Sequence, residues 1–179
     1  MKIDFIRHGK TAANQQHLYC GSTDIPLSAA GREELNALCY EPGDGIYITS
    51  GMQRTNETLR CLFGDVPYRE DTDFREIDFG IFEMKSYEQL KDDPCYQDWI
   101  RGDNNAKAPP GGESGEAMQK RVLAAFSRLQ DNSIVITHGG VIAAIMANLY
   151  PQEGKNRYQW QPEPGHGYRI TQEGYHSIP

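Results

Sequence analysis

The chain has little of several features that mark whole classes of protein. No apolar run approaches the ~20 residues that a helix needs to span a bilayer, and Met1 and Lys2 pass directly into a candidate strand, so no secretory leader is expected. Basic residues are few, since 18 Lys and Arg against 25 Asp and Glu give a formal net charge of −7. A nucleic-acid surface needs a broad basic patch. We therefore expect neither membrane nor nucleic acid as a partner.

Cysteine is scarce and scattered. No C-x-x-C pair of the kind typical of structural zinc occurs among Cys20, Cys39, Cys61 and Cys95. Reduced thiols in the cytoplasm are a better interpretation than disulfides. Repeats and low-complexity linkers are also absent, so residues 1–179 are expected to form one domain, long enough to bury a core without cross-links. Nothing in the sequence indicates an oligomeric state.

The opening of the chain reads K-I-D-F-I-R-H-G-K-T-A-A-N. The short apolar run at 3–6 predicts a buried strand, and Arg7, His8 and Gly9 follow it in succession. Glycine permits a close backbone approach, arginine offers a planar fork for phosphate oxygens, and histidine can act as a nucleophile or as an acid and base. This combination predicts an anion site at the end of the first strand.

Strand-like and helix-like segments alternate along the rest of the chain. Strands are predicted at 45–49, 66–68, 133–137 and, as a hairpin, at 167–178. Helices are predicted at 31–38 with Ser28 as N-cap and Pro42 after the helix, at 52–63, after Ser86, at 93–101, after Ser114 and at 141–149. The alternation predicts an α/β fold, a three-layer α/β/α sandwich with a mostly parallel sheet. Residues 70–113 are expected to hold a small lid.

The predicted strand ends carry the residues with the most chemistry. The first strand ends at Arg7 and His8, the second is followed by Arg54, and the later strand at 133–137 runs into His138. Ligands bind beyond the carboxyl ends of the strands in sheets of this kind. We therefore expect two arginines and two histidines to converge on one site.

Two arginines, two histidines and a carboxylate suit phosphoryl transfer through a histidine. Forked contacts from Arg7 and Arg54 would balance the charge on the equatorial oxygens of the transferring group. A neutral imidazole is an adequate nucleophile when a carbonyl holds its other ring nitrogen, and a second, protonated imidazole would add positive charge. The residues alone leave open whether His8 or His138 attacks. Glu76, among apolar neighbours in sequence, is the predicted proton donor to the leaving alkoxide.

Other interpretations of the same residues stay open. The proton donor could instead be a neighbouring acid, namely Asp71, Asp73, Asp78 or Glu83. A metal site built from His8, His138 and Glu76 is a second possibility, although paired arginines disfavour a bound cation. The sequence does not decide whether Arg101 and Lys107 reach the pocket.

Five segments, taken in order, resemble the motifs of the histidine phosphatase superfamily, which has the phosphoglycerate mutase-like fold. They are R-H-G-K-T-A-A-N, G-S-T-D-I-P-L-S-A-A-G, S-G-M-Q-R-T-N-E-T, R-E-I-D-F-G-I-F-E-M and I-T-H-G-G-V-I. The resemblance implies that His8 becomes phosphohistidine, that Arg7, Arg54 and His138 bind the phosphoryl group, and that Glu76 donates the proton. It also implies that Thr11, Asn14, Gly21 and the amide of Gly139 contact the substrate, and it implies no metal and no organic cofactor.

The same resemblance favours hydrolysis of a small phosphorylated metabolite. Mutases of the family are longer, and their opening R-H-G-E-S-x-W-N has a tryptophan that this chain lacks. An open site would admit water as the second acceptor. The segments L-Y-C-G-S-T-D-I-P-L and F-G-I-F-E-M-K are similar to the α-ribazole phosphatase group, so α-ribazole 5′-phosphate is a candidate substrate. A phosphoglycerate mutase-type isomerase and a fructose-2,6-bisphosphatase-like enzyme are the alternatives.

Overall fold

The computed structural model describes residues 1–41, 43–103 and 105–179, so the predicted helix-closing Pro42, and Asn104 within the predicted lid, lie outside the described residues. The strands in these ranges are β1 (Ile3–Arg7), β2 (Ile46–Thr49), β3 (Tyr68–Glu70), β4 (Ser133–Thr137), β5 (Gly167–Thr171) and β6 (Gly174–Ile178). The helices are α1 (Ala12–Gln15), α2 (Ala29–Asn36), α3 (Gln53–Phe63), α4 (Tyr87–Leu90), α5 (Pro94–Arg101), α6 (Gly115–Ser127) and α7 (Gly139–Leu149). Short 3₁₀ turns lie at Thr72–Phe74, Gly80–Phe82 and Pro151–Glu153.

The strands form one sheet in the order β3-β2-β4-β1-β5-β6. Strands β1 to β4 pair in parallel, whereas β5 and β6 add an antiparallel edge beside β1. The predicted mostly parallel sheet is therefore confirmed. In its register Arg7 lies opposite Thr137, so β1 and β4 end side by side.

Helices cover both faces of this sheet. Side chains alternate across a strand, so Ile3 and Phe5 pack with α6 and α7, whereas Ile6 packs with α3 on the other face. Likewise Val135 belongs to the first face and Ile136 to the second. Helix α7 is apolar nearly all round because it packs between β1 and α6. The three-layer α/β/α arrangement is confirmed.

A third, smaller apolar cluster lies within residues 79–101, the middle of the predicted lid. Its buried members are Phe82, Leu90, Tyr96 and Trp99, with Tyr19 and Phe79 packed against them. The Tyr19 and Tyr96 hydroxyls are 2.7 Å apart. Each buried side chain of this size stabilises by about 1.5–3 kcal/mol, so this segment has its own anchor. Among the helices that the structure describes, none is long and apolar enough to cross a membrane.

Local signals explain where the helices begin. The predicted N-caps are confirmed, since the Ser28 hydroxyl accepts from Gly31 N at 3.0 Å and Ser86 and Ser114 cap α4 and α6 in the same way. Several predicted boundaries shift, among them those of α2, which spans Ala29–Asn36 and not 31–38. Strand β3 begins at Tyr68, after Pro67, because proline has no N–H for the ladder. Helix α7 begins at Gly139 and not at 141, since glycine is a weak helix former and hid the first turn.

Candidate active site

The two histidines lie together where β1 and β4 end. The backbone N–H of His8 donates to the carbonyl of Thr137 at 2.9 Å, which continues the pairing of the two strands. The rings of His8 and His138 pack in a T-shaped arrangement, with centroids 5.1 Å apart and an angle of 64° between the ring planes. Only 6% of His8 is exposed, and His138 is fully buried. The structure thus brings together the two imidazoles that the sequence placed at separate strand ends.

A carbonyl fixes the tautomer of His8. Its Nδ1 lies 2.7 Å from the carbonyl oxygen of Gly9, and a carbonyl can only accept, so Nδ1 carries the proton in the neutral ring. Burial lowers the pKa of His8 well below its ordinary value, and the charges of Arg54 and Arg7 lower it further, against the opposite effect of the Gly9 hydrogen bond. The ring is therefore neutral at neutral pH, and its Nε2 has a free lone pair for attack.

His138 is held in the opposite tautomer. Arg54 Nε donates to His138 Nδ1 at 3.3 Å, so the ring proton lies on Nε2, which is 2.9 Å from Ser50 Oγ. Burial lowers the pKa of His138 well below its ordinary value, and Arg54 and His8 add to the effect. The expected charged second imidazole does not match this environment, because a buried ring beside a guanidinium resists protonation.

The two arginines are anchored through carbonyl oxygens. Arg54 is 1% exposed, and its Nη1 and Nη2 donate to the carbonyls of Thr23 and Gly21 at 2.9 and 2.7 Å. Arg7 Nη1 donates to the carbonyl of Pro162 at 2.8 Å, while its buried Nε has no partner among the described residues. A buried donor without a partner costs about 1–3 kcal/mol. A bound anion would satisfy it.

Glu76 lies against the first turn of α7. Its Oε2 accepts from Gly140 N at 2.9 Å and its Oε1 from the amide of Ile77 at 3.0 Å, and a helix N-terminus favours a carboxylate. A Cβ at Gly140 would lie 2.3 Å from Glu76 Oε1, and one at Gly139 would lie 3.2 Å from Cζ of Arg7. The glycine pair therefore makes room for a carboxylate and a guanidinium.

The other acids of this loop are bound elsewhere. Asp73 pairs with Arg128 at 2.8 Å and Asp71 with the same arginine at 3.4 Å. Asp78 Oδ1 accepts from the amide of Gly80 at 2.8 Å. Of the acids considered from the sequence, Glu76 is the one that contacts α7 beside the histidines.

The remaining predicted contacts differ in what they touch. Asn14 Oδ1 accepts from the amide and the hydroxyl of Thr11, at 2.9 and 3.0 Å, in a capping box that begins α1. Asn14 also lines a cavity of about 450 Å³ that includes Arg7. Gly21 acts through its carbonyl on Arg54, and a Cβ there would lie 1.7 Å from a backbone oxygen. Direct contact of Thr11, Gly21 or Gly139 with a ligand stays a prediction.

The two cations that the sequence left undecided lie on the surface. Arg101 is exposed near the end of α5. Lys107 Nζ is 2.8 Å from the carboxylate of Asp98, and both side chains are exposed. The surface position of Arg101 and the pairing of Lys107 with Asp98 give no support for a role of either cation beside the histidines.

Glu76 lies between two cavities that differ in character. One, of about 300 Å³, has aromatic walls that include Tyr19, Phe79, Trp99 and Tyr158. The other, of about 640 Å³, is polar and is lined by Arg75, Asp78 and Arg121 among others. The space beside the acid can therefore hold an ester's leaving group with either an apolar or a polar portion.

Sequence reasoning missed the residues that support the site. Arg121 of α6 donates to the carbonyls of Asp73, Arg75 and Glu76 at 2.8, 2.7 and 3.1 Å, and its guanidinium pairs with both oxygens of Glu113. It therefore holds the loop that carries the acid, although nothing in its helical pattern distinguished it. Ser50 appeared only as the first residue of the S-G-M-Q-R-T-N-E-T motif, yet its hydroxyl accepts from Nε2 of His138. Glu83 appeared only as a rival acid.

Together these groups can carry out phosphoryl transfer. A neutral imidazole with a free Nε2, two guanidiniums and a carboxylate at a helix N-terminus provide a nucleophile, charge stabilisation and an acid–base group. Across the described ranges, no group of three or more His, Cys, Asp or Glu side chains is arranged to hold a metal ion.

Comparisons with known proteins agree with this geometry. The sequence profile of the histidine phosphatase superfamily (branch 1) matches residues 3–177. The adenosylcobalamin/α-ribazole phosphatase of Escherichia coli K-12 is 28% identical over 177 residues, covering 92% of this chain and 87% of that protein. A phosphoglycerate mutase of Gloeobacter violaceus, named as 2,3-bisphosphoglycerate-dependent, is 30% identical, covering 80% and 73%. The crystal structure of a candidate α-ribazole-5′-P phosphatase from E. coli K-12 superimposes with a TM-score of 0.85 at 27% identity, covering 99% and 94%.

Proposed function

This chain belongs to the histidine phosphatase superfamily, and we propose that it hydrolyses a small phosphate monoester through a phosphohistidine on His8. The observation that carries the proposal is the His8 ring. Its Nδ1 is held 2.7 Å from a carbonyl, its pKa is lowered by burial and by two arginines, and its Nε2 is left as a nucleophile.

In the first step, His8 Nε2 attacks phosphorus and the bond to the ester oxygen breaks. Glu76 transfers a proton to that oxygen, so the leaving group departs as an alcohol. Arg7 and Arg54 bind the equatorial oxygens, and the buried Nε of Arg7 gains an acceptor there. In the second step, Glu76 takes a proton from water as the water attacks phosphorus. The P–N bond breaks, inorganic phosphate leaves and His8 is neutral again.

The aromatic cavity beside Glu76 supports a substrate whose leaving alcohol carries an aromatic ring. Tyr19, Phe79 and Trp99 form walls that would stack on a flat ring. α-Ribazole 5′-phosphate joins a benzimidazole ring to a ribose phosphate, and relatives of this chain are named for acting on α-ribazole compounds. We propose it as the preferred substrate, with no metal required.

A mutase is the second candidate, since one relative of similar identity carries that name. A mutase would return the phosphoryl group from His8 to a second hydroxyl, whereas a phosphatase would give it to water. A fructose-2,6-bisphosphatase-like specificity would place a sugar bisphosphate in the polar cavity. Product analysis separates the three.

The test is release of inorganic phosphate from a panel of esters in the presence of EDTA. The panel contains α-ribazole 5′-phosphate, p-nitrophenyl phosphate, 3-phosphoglycerate and fructose 2,6-bisphosphate, with His8→Ala as the inactive control and His176→Ala as the matched one, because His176 is exposed on the edge strand β6. We expect activity that survives EDTA, is lost in His8→Ala and is highest in kcat/KM for α-ribazole 5′-phosphate. Activity lost in EDTA would contradict the metal-free mechanism. Isomerised phosphoglycerate without phosphate release would favour the mutase.

A further inference from the structure

One carboxylate outside the reacting groups collects an unusual set of donors. Glu83 accepts from the amides of Gly21, Ser22 and Thr23 at 3.0, 2.9 and 3.2 Å, and from the Thr23 hydroxyl at 2.6 Å. The amide of Phe79 adds a further contact at 3.0 Å. Consecutive amides that point at one anion form a nest, which fixes the conformation of the loop that supplies them.

The opposite side of the same loop holds the catalytic arginine. The carbonyls of Gly21 and Thr23 accept from the two Nη atoms of Arg54 at 2.7 and 2.9 Å. Arg54 Nε in turn donates to Nδ1 of His138. A continuous series of hydrogen bonds therefore leads from Glu83 through the loop to the guanidinium and the second imidazole.

The loop has little freedom to shift as a body, because a Cβ at Gly21 would lie 1.7 Å from the carbonyl oxygen of Ile77. Ile77 directly follows the acid Glu76 in the chain. Loss of the carboxylate would leave the loop amides of residues 21–23 without their acceptor, and the loop would have to turn to find new ones. That turn would move the carbonyls that hold Arg54.

We propose that Glu83 is a positioning residue for phosphoryl transfer, acting on the phosphoryl group through the 21–23 loop and Arg54. The inference rests on the proposed phosphatase function. It also connects the aromatic cluster of residues 79–101 to the anion site, because Phe82, fully buried in that cluster, is the neighbour of Glu83. Packing around the leaving group is thereby coupled to the arginine that binds the phosphoryl oxygens.

The test is a double-mutant cycle with Arg54. Glu83→Gln replaces an acceptor oxygen by an amide donor, and Thr23→Val removes the 2.6 Å hydrogen bond alone. Glu88→Gln is the matched control, since Glu88 is exposed and pairs with Lys91. Each change is made in the native chain and in Arg54→Ala. The readouts are kcat/KM for p-nitrophenyl phosphate and the affinity for inorganic phosphate by titration calorimetry.

We expect Glu83→Gln to lower kcat/KM and phosphate affinity by about 10- to 100-fold, the range for hydrogen bonds to a charged group. Thr23→Val should lower both by a smaller factor, and Glu88→Gln should change neither by more than about twofold. In Arg54→Ala, further loss from Glu83→Gln or Thr23→Val should stay within about twofold. An equal loss in both backgrounds, or no loss in the native one, would overturn the proposal.

Two complications are separated by the design. If Glu83→Gln does not fold, Thr23→Val carries the same comparison. If the native chain releases no phosphate from any ester, the proposed function fails, whereas the phosphate titration still tests Glu83.

Discussion

The contact between Gly140 and Glu76 gives the sharpest test of which acid serves the leaving group. An alanine at Gly140 would put its Cβ 2.3 Å from Glu76 Oε1, well inside the 3.4 Å at which ordinary contact begins. The helix backbone cannot yield easily, so the flexible carboxylate must move by about 1 Å, and a misplacement of that size in an active site can cost about 10²-fold in rate. The change should not weaken the fold, because alanine is the better helix former by up to about 1 kcal/mol.

The expected loss depends on the ester. Alkyl phosphates need a proton on the leaving oxygen, so Gly140→Ala should lower their kcat/KM, which reports transfer of the phosphoryl group to His8, by about 10²-fold, within the range for general acid catalysis. p-Nitrophenolate leaves without a proton, so kcat/KM for p-nitrophenyl phosphate should fall far less. The second step, in which Glu76 takes a proton from water, is common to both esters and enters kcat, so kcat/KM is the quantity compared. Phosphate release is measured for both esters, with Glu76→Gln as the positive control and Gly43→Ala as the neutral one, since a Cβ there would have no atom of the more distant described residues within 4 Å. Equal losses for the two esters, or none, would refute Glu76 as the donor.

Three further predictions concern His138, Asp4 and Tyr158. Burial lowers the pKa of His138 in the folded chain, so the unfolded chain binds the proton more readily. The free energy of unfolding should therefore fall as the pH drops below about 6.5, and it should fall less steeply in His138→Gln, as measured by urea midpoints at pH 7.5 and 5.5. Arg169 donates two 2.7 Å hydrogen bonds to the buried carboxylate of Asp4. Asp4→Asn removes the charge and one of the two acceptor oxygens, and should cost about 1.5–3 kcal/mol in urea unfolding with kcat unchanged. Tyr158→Ala should raise KM for α-ribazole 5′-phosphate by about 2- to 10-fold and leave thermal stability unchanged, because Tyr158 is 72% exposed.

The succession of helices and strands along the chain could be predicted because the signals for it are local in sequence. Ser28, Ser86 and Ser114 each cap a helix from within three residues, and the apolar run 3–6 and the segment 133–137 alternate between the two faces of the sheet. The convergence of strand ends then follows from the parallel sheet alone. The start of β3 was predicted too early because Pro67 cannot donate to the strand ladder, and the start of α7 was predicted too late because glycine at 139 is a weak helix former.

The supporting contacts could not be predicted, because each joins residues far apart in sequence. Glu83 meets the 21–23 loop about sixty positions away, and Arg121 reaches the acid loop forty-five or more positions away. Most of these contacts are to backbone amides and carbonyls, which leave no side-chain pattern to recognise in the sequence. The protonated state expected of His138 does not match the unliganded site for a related reason, since the pKa of the ring depends on the burial and the neighbouring guanidinium that only the folded chain provides. A motif indicates which groups can react, whereas their protonation state and their orientation are set by contacts with residues outside the motif.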